Sequence, residues 1–60
     1  MDKLQELTQK LYDEGLAKGK QDGEALLAKA ATEAEGIVMK AKEEAEAILA
    51  KARKEAEALN

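Results

Sequence analysis

The fold is decided by residues 34–44, AEGIVMKAKEE, and residues 45–55, AEAILAKARKE, which place similar side chains at the same eleven positions. Residues 23–33, GEALLAKAATE, follow this pattern one repeat earlier. Eleven residues fill three turns at about 3.67 residues per turn, slightly more than the ~3.6 of an ideal α-helix. An apolar stripe with this period winds right-handed when it stays against a partner. The repeat therefore predicts an all-α protein, a single long helix in a right-handed (hendecad) parallel coiled coil.

We label the repeat positions a to k, with Gly23, Ala34 and Ala45 at position a. At about 98° per residue, positions d, h, a and e lie side by side and form one apolar stripe, which we call the seam. Large residues occupy its margins and small residues its centre, so the pattern favours a partner helix that approaches closely. We predict helix–helix contacts for all of its members: Tyr12, Gly15, Leu16, Gly19, Gly23, Leu26, Leu27, Ala30, Ala34, Ile37, Val38, Ala41, Ala45, Ile48, Leu49, Ala52, Ala56 and Leu59.

Charged residues border the seam asymmetrically. Position i, beyond e, is mostly basic: Lys20, Ala31, Lys42 and Arg53. Position k, beyond d, is acidic: Asp22, Glu33, Glu44 and Glu55. In a parallel pair the basic side of one helix faces the acidic side of the other, whereas an antiparallel pair brings like charges together. The pattern therefore predicts parallel pairing, with about 0–1 kcal/mol from each exposed ion pair. Bases also precede acids by four residues, as in Lys42–Glu46, so we expect ion pairs within the helix.

We expect two segments: residues 1–22 as a heptad-like helix and glycine-rich transition, and residues 23–60 as the hendecad coiled-coil stalk. Near the start of the first segment lies Asp2, an acid that suits the positive end of a helix dipole. The segment also carries three leucines at helical spacing, which we call the N-terminal leucine cluster: Leu4, Leu7 and Leu11. We assign this cluster to the interface as well.

The segment Gly15–Gly23 contains three glycines, spaced four residues apart. Each costs about 1 kcal/mol in a helix relative to alanine. Their spacing and the absence of proline favour a continuous helix with close backbone approach. A hinge or bend at Gly15–Gly23 is the alternative.

Composition argues against most functional classes. The chain has no histidine, cysteine or proline, and also no serine, so we expect no catalytic, cofactor-binding or metal-ligating residue and no enzymatic activity. The net charge is −3 and bases are interleaved with acids, which argues against a nucleic-acid partner. No apolar run is long enough to span a bilayer, so we expect no direct membrane insertion. The lack of cysteine fits a reducing compartment.

Several stretches of the chain carry a family resemblance. Residues 1–8, MDKLQELT, with LYDEG at 11–15 and KGK at 18–20, resemble the start of the E-type stalk subunit of bacterial and archaeal A/V-type ATPases. The later stretches EGIV at 35–38, EAILAKA at 46–52 and EAE at 55–57 resemble the right-handed stalk helix of the same family. The resemblance covers the whole chain.

This resemblance implies a structural role in a peripheral stalk, or stator. In the family, the E-type protein pairs with a G/H-type stalk helix as a parallel right-handed coiled coil. Its N-terminal end lies near the membrane-embedded part of the stator, and its C-terminal globular domain holds the catalytic head. We expect that globular domain to be absent here, so head binding is not carried over. The implied role is a cytoplasmic, non-catalytic segment, peripheral to the inner membrane, of a proton- or sodium-translocating complex that uses or makes ATP.

Other interpretations stay open at this point. The isolated chain is expected to self-associate, as a parallel dimer or alternatively as a tetramer. It could serve as a homo-oligomeric coiled-coil scaffold unrelated to ATPases. It could also be an eleven-residue-repeat helix that acts on lipid surfaces or in stress protection. Lipid-surface helices usually carry a bulkier apolar face and a basic rim, whereas this seam is rich in alanine and flanked by acids on one side.

Overall fold

The protein is described by a computed structural model that covers residues 2–59. Within that range the chain forms one α-helix, α1, Lys3–Ala58, and no strand. The all-α, single-helix prediction is therefore confirmed. None of the described side chains is buried, so the described residues contain no hydrophobic core.

The helix begins with a capping box formed by Asp2 and Gln5. The Asp2 backbone N–H donates to Gln5 Oε1 at 3.2 Å, and the Gln5 backbone N–H donates to Asp2 Oδ1 at 2.7 Å. These reciprocal bonds satisfy backbone donors that have no partner inside the first turn. The Glu6 N–H then donates to the Asp2 carbonyl at 3.0 Å, and the Glu6 carboxylate in the first turn suits the positive end of the helix dipole. The start of α1 is thus well fixed.

The glycine-rich segment Gly15–Gly23 is helical throughout. No glycine among the described residues has a positive φ. A Cβ added at Gly15, Gly19 or Gly23 would meet no atom within 4 Å, and the same is true of Gly36. The helix therefore continues through this segment, and nothing within it requires glycine. Bending of the segment under load stays a prediction.

Among the described residues, the C-terminal end of α1 has fewer stabilising hydrogen bonds and charges than its start. The helix ends at Ala58, and the Leu59 N–H donates to the Ala56 carbonyl at 3.3 Å. The last turn contains no basic residue, while Glu55 and Glu57 place negative charge near the negative end of the dipole. That arrangement is unfavourable by a few tenths of a kcal/mol to about 1 kcal/mol per charge.

The chain divides into two units, residues 2–30 and residues 31–59 of the described range. The first unit holds ion pairs between Lys10 and Glu14 at 4.0 Å and between Lys18 and Asp22 at 3.4 Å. It also holds a bond from Gln9 Nε2 to Asp13 Oδ1 at 3.0 Å. No ion pair forms among the described residues of the second unit, so pairs such as Lys42–Glu46, expected from the spacing, are not formed.

Candidate functional site: a helix–helix interface

The seam of the second unit is an exposed apolar face. Ile37 and Ile48, both at position d, are 70% and 68% exposed, and Val38 and Leu49 at position e are 53% and 52% exposed. Successive steps of three and four residues place them with the alanines of positions a and h on one side of the helix. Burying each Ile, Leu or Val against a partner would contribute about 1.5–3 kcal/mol. This face is therefore where association would stabilise the helix most.

The seam of the first unit also has large residues at its margins, but the residues at its centre are smaller than those of the second unit. Its large members include Leu16, Leu26 and Leu27, all exposed. Its centre is occupied by Gly19 and Gly23, with Tyr12 at position a nearer the start, 65% exposed. Without side chains at these glycines, a partner backbone can come closer here than at alanine. The seam residues of this unit thus lie together on one face, and no described residue covers them.

The N-terminal leucine cluster extends to one side of this face. Leu4 falls on position d, at the margin of the seam, whereas Leu11 falls on position k and Leu7 on position g. At about 100° per residue, the centre of the cluster lies about a quarter turn from the seam of the same unit. Beside it, Leu4, Gln5, Thr8 and Gln9 line a shallow groove. The structure therefore brings Leu4 into line with the seam and places Leu7 and Leu11 at its flank.

Met39 is an exposed apolar residue that the eleven-residue pattern does not assign to the interface. It is 60% exposed and lines a groove beside the seam, together with Ala34, Glu35, Val38 and Lys42. Position f, which it occupies, holds the smaller Ala17 and Ala50 in other repeats. Its size at that position is the signal that could have identified it, and averaging over the repeats hides this signal.

The basic and the acidic flank lie at equal angles from the seam. Positions i and k lie about 82° on either side of its centre, as the eleven-residue period requires. In the second unit Lys42, Arg53, Glu44 and Glu55 are exposed and take part in no ion pair among the described residues. In the first unit Asp22 is already bound by Lys18 at 3.4 Å. The flanks of the second unit are thus free to pair with charges on another helix.

The described residues offer no site for metal chemistry and no membrane span. No three acidic, histidine or cysteine side chains among residues 2–59 are grouped so that they could hold a metal ion. No helix in the described part of the chain is long and apolar enough to cross a membrane. No family model, curated protein or solved structure matches this chain.

Proposed function

We propose that this chain is a structural stalk segment that pairs with a partner helix through the seam. The observation that carries the proposal is the second-unit seam, where Ile37 and Ile48 recur at an eleven-residue spacing and are 70% and 68% exposed. A chain without a core gains most of its stability by covering such a face. The seam's period favours a right-handed coil and its flanks favour a parallel partner. The role is non-catalytic.

The more specific part of the proposal is that the stalk is the peripheral stator of a rotary A/V-type ATPase. Its support is the resemblance of residues 1–8, 11–15 and 18–20 to the start of the E-type stalk protein. In this role the partner is the G/H-type stalk helix, and the N-terminal end lies near the membrane-embedded part of the stator. The segment is cytoplasmic, peripheral to the inner membrane, and resists rotor torque in a proton- or sodium-translocating complex.

Mixing the chain with a purified G/H-type stalk helix of an A/V-type ATPase tests this proposal. We expect a 1:1 complex in sedimentation equilibrium and a rise in helicity by circular dichroism. Leu49→Asp, at the margin of the seam, should weaken the complex at least ~100-fold, because it replaces a buried leucine by a charge. The neighbouring Ala50→Asp, at position f outside the seam, is the matched control and should bind nearly as the unchanged chain does.

The same experiment separates the proposal from the other functional classes. If the chain becomes helical only when liposomes of anionic lipid are added, a lipid-surface role replaces the stalk role. If it associates tightly with itself and ignores the G/H-type helix, it is a homo-oligomeric scaffold with no ATPase partner. Equal binding by Leu49→Asp and Ala50→Asp would contradict the seam as the contact surface.

A further inference from the structure

We infer that two copies of this chain pair in parallel and in register, held by a ladder of ion pairs between position i of one copy and position k of the other. The inference rests on the proposed role of the seam as a pairing surface, and it adds the orientation and register that two copies take when no other stalk helix is present. Its starting point is that one chain carries both halves of the ladder. Each base at position i stands two residues before an acid at position k, as in Lys42 with Glu44 and Arg53 with Glu55.

The geometry of a close helix pair brings these charges together. Positions i and k lie about equally far from the seam's centre on opposite sides, so in a parallel two-fold pair each base faces the other copy's acid. Two residues correspond to about 3 Å along the axis, which long side chains span easily. The centre of the second-unit seam consists of alanines such as Ala45 and Ala52, which allow the axes to approach and the flanks to meet.

The charges in question are available for a partner. Lys42, Glu44, Arg53 and Glu55 are exposed and make no ion pair among residues 2–59. The two-fold symmetry makes each rung occur twice, so the second unit supplies two kinds of rung and four ion pairs. At about 0–1 kcal/mol per exposed pair, the ladder selects orientation and register, while the seam supplies most of the affinity.

Other arrangements satisfy the pattern less well. An antiparallel pair places bases against bases and acids against acids. A slip of four or seven residues still sets small positions a and h opposite each other, but on one flank it moves each base at least five residues, about 7.5 Å, from the nearest acid of position k. A slip of eleven residues restores the ion pairs, but it leaves Ala52, Ala56 and Leu59 of one copy, and the N-terminal leucine cluster of the other, without a facing seam. The in-register parallel pair alone covers the full seam and forms the ladder, with a gap at Ala31, where position i has no charge.

Single-cysteine variants test the register directly, because the chain has no cysteine of its own. Ala34→Cys and Ala45→Cys place thiols at the seam's centre eleven residues apart, and Ala50→Cys places one at position f as the control. We expect both seam variants to form symmetric disulfides at least ~10-fold faster than the control under mild oxidation, because only seam thiols come within disulfide reach. An antiparallel pair can bring at most one of the two seam positions to its two-fold axis, so efficient linkage of only one would overturn the inference. A mixture of the two variants that links mainly Ala34→Cys to Ala45→Cys would reveal the eleven-residue slip instead.

Charge reversal tests the ladder. The double variant Lys42→Glu/Arg53→Glu should self-associate at least ~10-fold more weakly than the unchanged chain, and so should Glu44→Lys/Glu55→Lys, because like charges then face each other. An equimolar mixture of the two should recover the original affinity at low salt, because every rung then joins opposite charges. Unchanged affinity in either variant would overturn the ladder.

A chain that binds the G/H-type helix but forms no symmetric disulfide would retain the proposed function and contradict this inference. A chain that neither binds that helix nor forms the disulfide would contradict both.

Discussion

The two units of α1 are helical for different reasons. Residues 2–30 contain the Asp2–Gln5 capping box, two ion pairs, and the side-chain bond from Gln9 to Asp13, but glycines occupy the centre of their seam. Residues 31–59 contain no ion pair and end in a turn without a basic residue, but their seam carries Ile37, Val38, Ile48 and Leu49. The first unit thus has more side-chain interactions within its own helix, and the second has the more apolar seam centre and β-branched margins that a partner would cover. Variants placed separately in each unit should reveal this difference.

The largest effect should come from removing the second unit's apolar face. In Ile37→Asp/Ile48→Asp both position-d isoleucines are replaced by charged residues. Since burying one isoleucine contributes about 1.5–3 kcal/mol, each chain loses about 3–6 kcal/mol of the free energy of association. We expect helicity at micromolar concentration to be abolished, because the chain can no longer pair. Circular dichroism over a dilution series measures this loss.

A matched control exists for that double variant. Met39→Asp/Ala50→Asp also introduces two aspartates eleven residues apart, but at position f, outside the seam. It should retain association and most of the helicity, losing only the lower helix propensity of aspartate. Helicity that does not change on dilution, or is equal in the two double variants, would contradict dependence on a partner.

The glycines of the first unit should give the next largest effect, and its sign should depend on the state of the chain. Gly15→Ala, Gly19→Ala and Gly23→Ala add a Cβ that meets no atom within 4 Å of its own helix. Each should stabilise the dissociated helix by about 1 kcal/mol. If partner backbones approach at these positions, the added methyl groups should at the same time weaken association. Circular dichroism of the dilute chain and sedimentation equilibrium separate the two effects.

Gly36→Ala supplies the control for that series. Gly36 also has free space for a Cβ, and it lies at position c, away from the seam. It should raise helicity as the other three do and, because unpaired chains must become helical in order to pair, it should tighten the pair and not weaken it. Tighter association in the three seam variants would mean that no close backbone contact occurs in the first unit.

The extent of the helix was predictable from the sequence, and its side-chain interactions were predictable only in part. The absence of proline and the agreement of three repeats decide the long helix, and they outweigh the propensity cost at Gly15–Gly23. The charge of Asp2 indicated a helix start, but its reciprocal bonds with Gln5 are a capping box that the dipole argument alone does not predict. Lys42–Glu46, an ion pair that we expected, does not form, whereas Lys18–Asp22, which we did not single out, does. Such exposed pairs differ by a few tenths of a kcal/mol, and sequence spacing does not resolve differences of that size.

The sequence predicted which side of the helix carries the apolar face, but it did not define the edges of that face as well. The repeat places Ile37, Val38 and Ile48 side by side, as the helix has them. Leu7 and Leu11 were assigned to the same interface because they are apolar and helically spaced, yet counting in elevens puts them at the flank. A partner would lie outside the chain, so its identity stays a proposal that rests on complementarity of shape and charge.

A smaller effect should come from the first unit's cap. Asp2→Ala removes the acceptor of the Gln5 N–H, which lies 2.7 Å from Asp2 Oδ1, and should destabilise the helix by about 1 kcal/mol. Asp2→Asn keeps a capping oxygen and is the control, with a loss of a few tenths. Hydrogen exchange of residues 3–10 measures the change. Equal protection in the two variants would show that the capping box does not stabilise this end.

The smallest effect should come from the C-terminal end of α1, whose last turn contains no basic residue. Glu57 lies in the last turn, near the negative end of the helix dipole, so Glu57→Gln should stabilise the helix by about 0.3–1 kcal/mol at low ionic strength. The gain should shrink in ~1 M salt, where the Debye length is about 3 Å. Glu46→Gln removes the same charge at the same position b one repeat earlier, far from either end, and should give no such gain. A salt-sensitive gain in helix stability from Glu57→Gln alone would mean that charge at the C-terminal end partly limits the stability of the second unit. Equal responses at the two positions would mean that its stability depends on the seam and not on how it terminates.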